Sequence, residues 1–170
     1  LEEGTLTESR LVVRLPKHKP AEAEMKFQLT GLPFQRALQV MGDEERLITG
    51  ELMLTGTLQG NGKNPRGILN TLNGNIEFRI MQGHIQKGLI VPKILSILDI
   101  PSLLQGKVDL TREGTPFDKF TGRFSIRNGI MTSENVVLDS PVVKISGVGS
   151  YDMPTDQLDF VVVVSPFGSY

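Results

Sequence analysis

Few residues in this chain could do chemistry. His18 and His84 are its two histidines, and neither has a second ligand beside it at metal-binding spacing. Both read as solvated residues in separate turn-like segments. No Gly-x-Ser-x-Gly elbow offers a nucleophile for either. The run Thr57-Leu58-Gln59-Gly60-Asn61-Gly62-Lys63-Asn64 has the outline of a phosphate loop. However, Thr57 replaces the first glycine, and Asn64 replaces the hydroxyl residue that would hold magnesium. Gly147-Val148-Gly149 is a lone Gly-x-Gly inside a strand pattern, where glycine relieves crowding more readily than it binds a dinucleotide. Asp43-Glu44-Glu45 reads as a solvated loop. With no cysteine, disulfides, thiol catalysis and thiolate metal sites are excluded. The expectation is a protein that is not an enzyme and carries no metal or cofactor.

Composition narrows the class further. A chain of 170 residues suits a single module, residues 1–170, taken as an internal or C-terminal fragment of a larger protein. At 39% hydrophobic and 22% charged it is neither disordered nor embedded in a bilayer. A net charge of -1 gives no general attraction to nucleic acid, so none is expected as a partner. No run approaches the about 18 apolar residues that span a membrane, and Leu1-Glu2-Glu3-Gly4 is no secretion signal. Any anchor or signal would lie outside this segment.

The elements that must position whatever the chain does are mostly strands. Leu11, Val13 and Leu15 alternate with other residues, and so do Ala23, Met25, Phe27 and Leu29. Leu32 to Met41 has helical spacing, starting near Pro33 and stopping at Gly42. Ile48, Leu52, Leu54 and Leu58 mark a long strand. Asn64 and Pro65 then start a short helix that Asn73-Gly74 should end. A strand from Asn75 should turn near Gln82-Gly83. Leu89 to Leu104 should form two short helices broken at Pro101. From Lys107 onward the pattern is strand and turn, with Asn128-Gly129 a strong hairpin signal and Asp152 to Asp156 another turn. Gly74 to Arg79 faintly echoes Gly122 to Arg127.

Alternation gathers one apolar face from these strands. It comprises Leu52, Leu54, Ile76, Phe78, Ile80, Phe124, Ile126, Val143, Ile145, Leu158, Phe160 and Val162, with Val164 beyond. Burying one large side chain contributes about 1.5–3 kcal/mol, so the face cannot stay wet. Either the sheet and helices fill the core, or part of the face stays open as a trough for acyl chains. The residues alone favour the filled core. A terminal valine run also suggests an edge strand that pairs with a neighbouring sheet.

The chain resembles the C-terminal region of AsmA-like proteins, the group that includes the TamB and YhdP relatives. Segments carrying the resemblance include Gly50 to Gly62, Leu69 to Gly74, Ile94 to Ile100 and Thr115 to Gly122. Asn128 to Thr132, Leu138 to Pro141, Gly147 to Asp152 and Gln157 to Pro166 complete it, so that it covers about residues 47–166. The resemblance implies a mainly β fold with short α-helices (α+β): a curved antiparallel sheet forming an open β-groove or half-barrel, capped by short helices. It implies the periplasmic portion of an inner-membrane-anchored Gram-negative envelope protein. Such proteins are implicated in phospholipid transport between inner and outer membrane and in outer-membrane integrity. The implied partners are phospholipid acyl chains, neighbouring β-repeats of the same protein, and an inner or outer membrane surface. By that analogy the apolar residues named above would line the lipid groove, with no catalytic residue among them.

Overall fold

The computed structural model describes residues 5–6, 9–40, 48–85, 115–141 and 143–166. In chain order they form β1 (Thr5–Leu6), β2 (Arg10–Arg14), β3 (Ala21–Pro33), α1 (Phe34–Val40), β4 (Ile48–Gly62) and α2 (Pro65–Asn70). Then follow β5 (Asn73–Ile85), β6 (Thr115–Arg127), β7 (Ile130–Asp139), β8 (Val143–Asp152) and β9 (Gln157–Pro166). Every strand pairing is antiparallel, and the strands lie in sequence order from β3 to β9, with β1 and β2 sharing the place outside β3. Among the described residues β9 pairs only with β8, so the sheet stays open rather than closing into a barrel. The mainly β expectation holds.

Three irregularities bend the sheet. Two residues of β3, Thr30 and Gly31, stand between pairs that enclose Met53 alone on β4. On β5, Gln82 and Gly83 likewise face Gly50 alone. Relative to β8, Glu134 and Asn135 of β7 face only Val148. Such bulges add local twist and turn the strand. Gln82-Gly83 is therefore a bulge inside a strand that runs on to Ile85, not the turn expected from its glycine; Gln82 takes φ of 49° there. His84 consequently sits in a strand and is half-buried. The β7 bulge is pinned by its own side chains. Ser133 Oγ donates to Asn135 Oδ1 (3.2 Å), which also accepts from the Arg123 backbone N–H (3.0 Å).

The turns form where local chemistry directs. Asn128 and Gly129 take φ of 49° and 77°, the two positive values of a tight hairpin turn joining β6 to β7. Asn64 caps α2: its Oδ1 accepts from the Gly67 N–H at 2.8 Å, with Pro65 following as the first helical residue. Asn64→Ala should cost about 0.5–2 kcal/mol, measurable by urea unfolding. The helix ends at Thr71 rather than at Asn73-Gly74, which belong to β5. Thr71 Oγ1 also accepts from the Asn61 N–H (2.8 Å), fastening the helix to β4. The helices expected between Leu89 and Leu104, and the loop at Asp43 to Glu45, lie outside the described residues.

The core gathers at one end of the sheet. Leu52, Ile80, Phe117 and Leu138 are buried together, with Phe34 and Ala37 of α1 packed on them. At the other end Ile68 of α2 lies 3.2 Å from where a β-carbon on Gly60 would stand, and Ile126 is buried. Leu52 and Gly60 are eight residues apart on β4, roughly 26 Å in an extended strand. A helix thus covers each end of the apolar face.

Candidate functional site: one apolar face

Ladder register decides which side chains share a face, because directly opposed residues point the same way. Leu54 opposes Leu29 and Phe78, Leu52 opposes Ile80, and Ile76 opposes both Gly56 and Phe124. Ile126 opposes Gly74 and Met131; Ile145 opposes Leu138 and Val164. Val162 opposes Gly147, Phe160 opposes Gly149, and Leu158 opposes Tyr151. Val143 lies two residues before Ile145. All twelve residues picked out by alternation therefore fall on one face. Leu52, Ile80, Ile126 and Val143 are buried, Leu158 is 68% exposed, and the other seven are half-buried. No ladder position on this face from β3 to β9 holds a charged residue.

Register also shows something the sequence pattern hid. Four of the eight phenylalanines directly oppose a glycine: Phe27 opposes Gly56, Phe78 opposes Gly122, Phe117 opposes Gly83, and Phe160 opposes Gly149. In each pair the ring or its root crowds the space a β-carbon would need, joined at Gly149 by the Asp159 carbonyl and at Gly83 by the Thr49 carbonyl. The nearest ring atom lies 2.7 Å from that point at Gly56, 2.5 Å at Gly122 and 2.8 Å at Gly149, and Phe117 crowds Gly83 in the same way. The rings lie down on neighbouring backbone instead of standing up from the sheet. Phe78 is held there by Phe120 edge-on (centroids 5.0 Å, 78°) and by Phe124 in a stack (6.1 Å, 22°).

An apolar cavity of about 180 Å³ opens on this face. Its walls include Ile48 and Ile85 at one side, Phe120 and Leu138 between, and Phe160 and Val162 at the other. With Ile145 of β8 also in the lining, these residues come from six consecutive strands, β4 to β9, which would spread over roughly 24 Å if flat. Converging on one small cavity requires the sheet to curl around it. The volume exceeds a 150 Å³ protein cavity that takes up benzene, so it suits a segment of hydrocarbon.

A larger cavity lies elsewhere. About 930 Å³ opens on the opposite face, a trench running across β3 to β7. Backbone of Phe27, Gly56, Ile76 and Phe124 floors it, and its walls run from Lys26 to Thr132 and from Gln28 to Arg123. Those walls carry polar and charged side chains, with Glu77 and Arg123 paired at 3.4 Å, unlike the uncharged apolar face. At the β8–β9 turn, Tyr151 donates to Asp156 (2.5 Å). That hydrogen bond, then desolvation, then the charge of the carboxylate raise the phenol above its ordinary range.

A curled, open-edged antiparallel sheet with one uncharged apolar face is the architecture expected from the resemblance. The model of the YhdP protein family matches residues 11–167. The chain belongs to the YhdP family. YhdP is an AsmA-like envelope protein family. Neither a curated protein nor a solved structure gives a significant match to this YhdP-family chain. Among the described residues of this YhdP-family chain, no helix is long and apolar enough to cross a membrane.

Proposed function

We propose that this YhdP-family chain is a lipid-handling β-groove module, placed in the periplasm as part of an inner-membrane-anchored protein. Its role would be phospholipid transport between inner and outer membrane. The observation that carries the reading is the uncharged apolar face, with phenylalanines laid over glycines and a small apolar cavity opening on it. Acyl chains would rest there while head groups stay in water. The attraction would be hydrophobic and largely indifferent to the head group.

Family membership and geometry support the reading, and a charge placed on the face tests it. Phe124 is half-buried on that face and stacks on Phe78. Phe124→Asp should leave a folded domain, by circular dichroism, that takes up a fluorescent phospholipid at least tenfold more weakly. The basis is the roughly 1.5–3 kcal/mol of lost apolar contact together with the unfavourable approach of a carboxylate to hydrocarbon. Undiminished uptake by a folded variant would refute the groove. So would a chain that co-purifies with no phospholipid and takes up none.

A second reading rests on the β9 edge. Val161 and Val163 point away from the apolar face and are 61% and 59% exposed, so β9 is apolar on both sides. Such an edge invites another strand. A neighbouring β-repeat of the same protein would pair with it and lengthen the groove.

A further inference from the structure

The chain is close to neutral, yet its charges are not evenly spread. The β2–β3 turn carries Lys17, His18 and Lys19, and the β4–α2 loop and start of α2 carry Lys63 and Arg66. Register brings these two segments together. Ala21 opposes Gly62, so the turn ends where the loop begins. All five side chains are exposed. Arg14 lies 3.9 Å from Glu24 and opposes Glu22, so one arginine stands against two carboxylates and one negative charge is left beside the four cations of the corner. Lys17, Lys19, Lys63 and Arg66 have no ion-pair partner among the described residues.

The same corner carries exposed hydrocarbon. Leu11, Val13 and Leu15 are 65%, 54% and 80% exposed. Leu11 opposes Met25 and Val13 opposes Ala23, so these two extend the apolar face outward at the β2 edge. Leu15 continues their alternation into the cationic turn. Across the sheet, the β8–β9 turn at this end is acidic, with Asp152 and Asp156. One corner therefore combines four free cations with a protruding leucine, and the far corner repels the same partner.

Cations flanking exposed aliphatic side chains are the chemistry of adsorption to an anionic lipid surface. A soluble acidic partner would account for the lysines but not for the leucine between them. We infer that the corner formed by Leu15, Lys17, Lys19, Lys63 and Arg66 docks on the surface of a bilayer containing anionic phospholipid. Leu15 enters the interface and the four cations meet phosphate groups. The stripe of Leu11 and Val13 then joins that surface to the apolar face. The docking depends on this corner alone and does not require the groove reading.

The test is flotation of the chain with vesicles of phosphatidylcholine plus phosphatidylglycerol, against vesicles of phosphatidylcholine alone. Binding should appear on the anionic vesicles at low salt and vanish in about 1 M salt, where charges are screened beyond roughly 3 Å. Each cation near such a surface contributes about fivefold. Lys17→Gln, Lys19→Gln, Lys63→Gln and Arg66→Gln combined should therefore weaken binding roughly a hundredfold or more. Leu15→Ser should weaken it severalfold at low salt, where the chain binds. Arg79→Gln with Lys144→Gln removes exposed cations away from this corner and should change little. All these side chains are exposed, so melting should not move. Equal binding to neutral vesicles, no vesicle binding at all, or equal loss in the Arg79 and Lys144 variant would each overturn the inference. Uptake of fluorescent lipid from detergent micelles is read in parallel. Lost uptake with intact flotation refutes the groove alone, and the reverse refutes the docking corner alone.

Discussion

Replacing Ile80 with aspartate should leave no cooperatively folded domain at room temperature. Ile80 is 1% exposed and sits among Leu52, Phe117 and Leu138, with α1 packed on the same cluster. An unpaired carboxylate there costs several kcal/mol even after relaxation, and the isoleucine's burial is lost as well. A domain has only about 5–15 kcal/mol in reserve. Ile80→Ala is the graded control, expected to cost about 2–5 kcal/mol with folding retained. Urea unfolding followed by circular dichroism measures both. A well-folded aspartate variant would show that this end of the face is open to water. The contrast with Phe124→Asp then separates the filled end of the sheet from its half-open middle.

Gly122→Leu should have the second largest effect, and it should act on the face more than on the ladder. A β-carbon at Gly122 would stand 2.5 Å from a Phe78 ring carbon and 3.3 Å from Val136 Cγ2. Both neighbours are side chains, so the backbone pairing can survive while Phe78 is forced upright. Overpacking of this kind costs about 1–3 kcal/mol. The displaced ring and the new leucine would also occupy space above the sheet, and lipid uptake should fall with stability. Adding Phe78→Ala to Gly122→Leu should restore part of the stability. A double-mutant cycle measures that coupling. Additive losses would show that the ring does not rest on the glycine.

Much of this was legible in the residues. Strict alternation at Ile76 to Ile80 and Phe124 to Ile126 places their large side chains on one face, and the ladder agrees. The faint echo between Gly74 to Arg79 and Gly122 to Arg127 turned out to join neighbours, since β5 and β6 pair over those very residues. Other parts were hidden for physical reasons. Phe117 is buried three residues from Phe120, a spacing that alternation assigns to opposite faces. Val136 and Leu138 follow a bulge that breaks the period of two, so no face could be given to them from spacing. Gln82-Gly83 misled because turns and bulges draw on the same residues tolerant of positive φ. Asn73-Gly74 misled because Thr71, three residues after the last apolar position of α2 but one, had already closed the helix. The glycines opposite phenylalanines carried no signal at all, because which strand faces which is not written locally.

Those recumbent rings have a consequence for anything oily that settles on them. Away from the small cavity, a surface paved with flattened aromatics offers few keyed contours, so each resting place there closely matches the next. Moving a tail forward by one notch would exchange one nearly equivalent contact for another, with little barrier between. Grip would then scale with chain length, and passage along the paving would be cheap in either direction. Any preferred heading would have to be imposed by what waits at its two extremities.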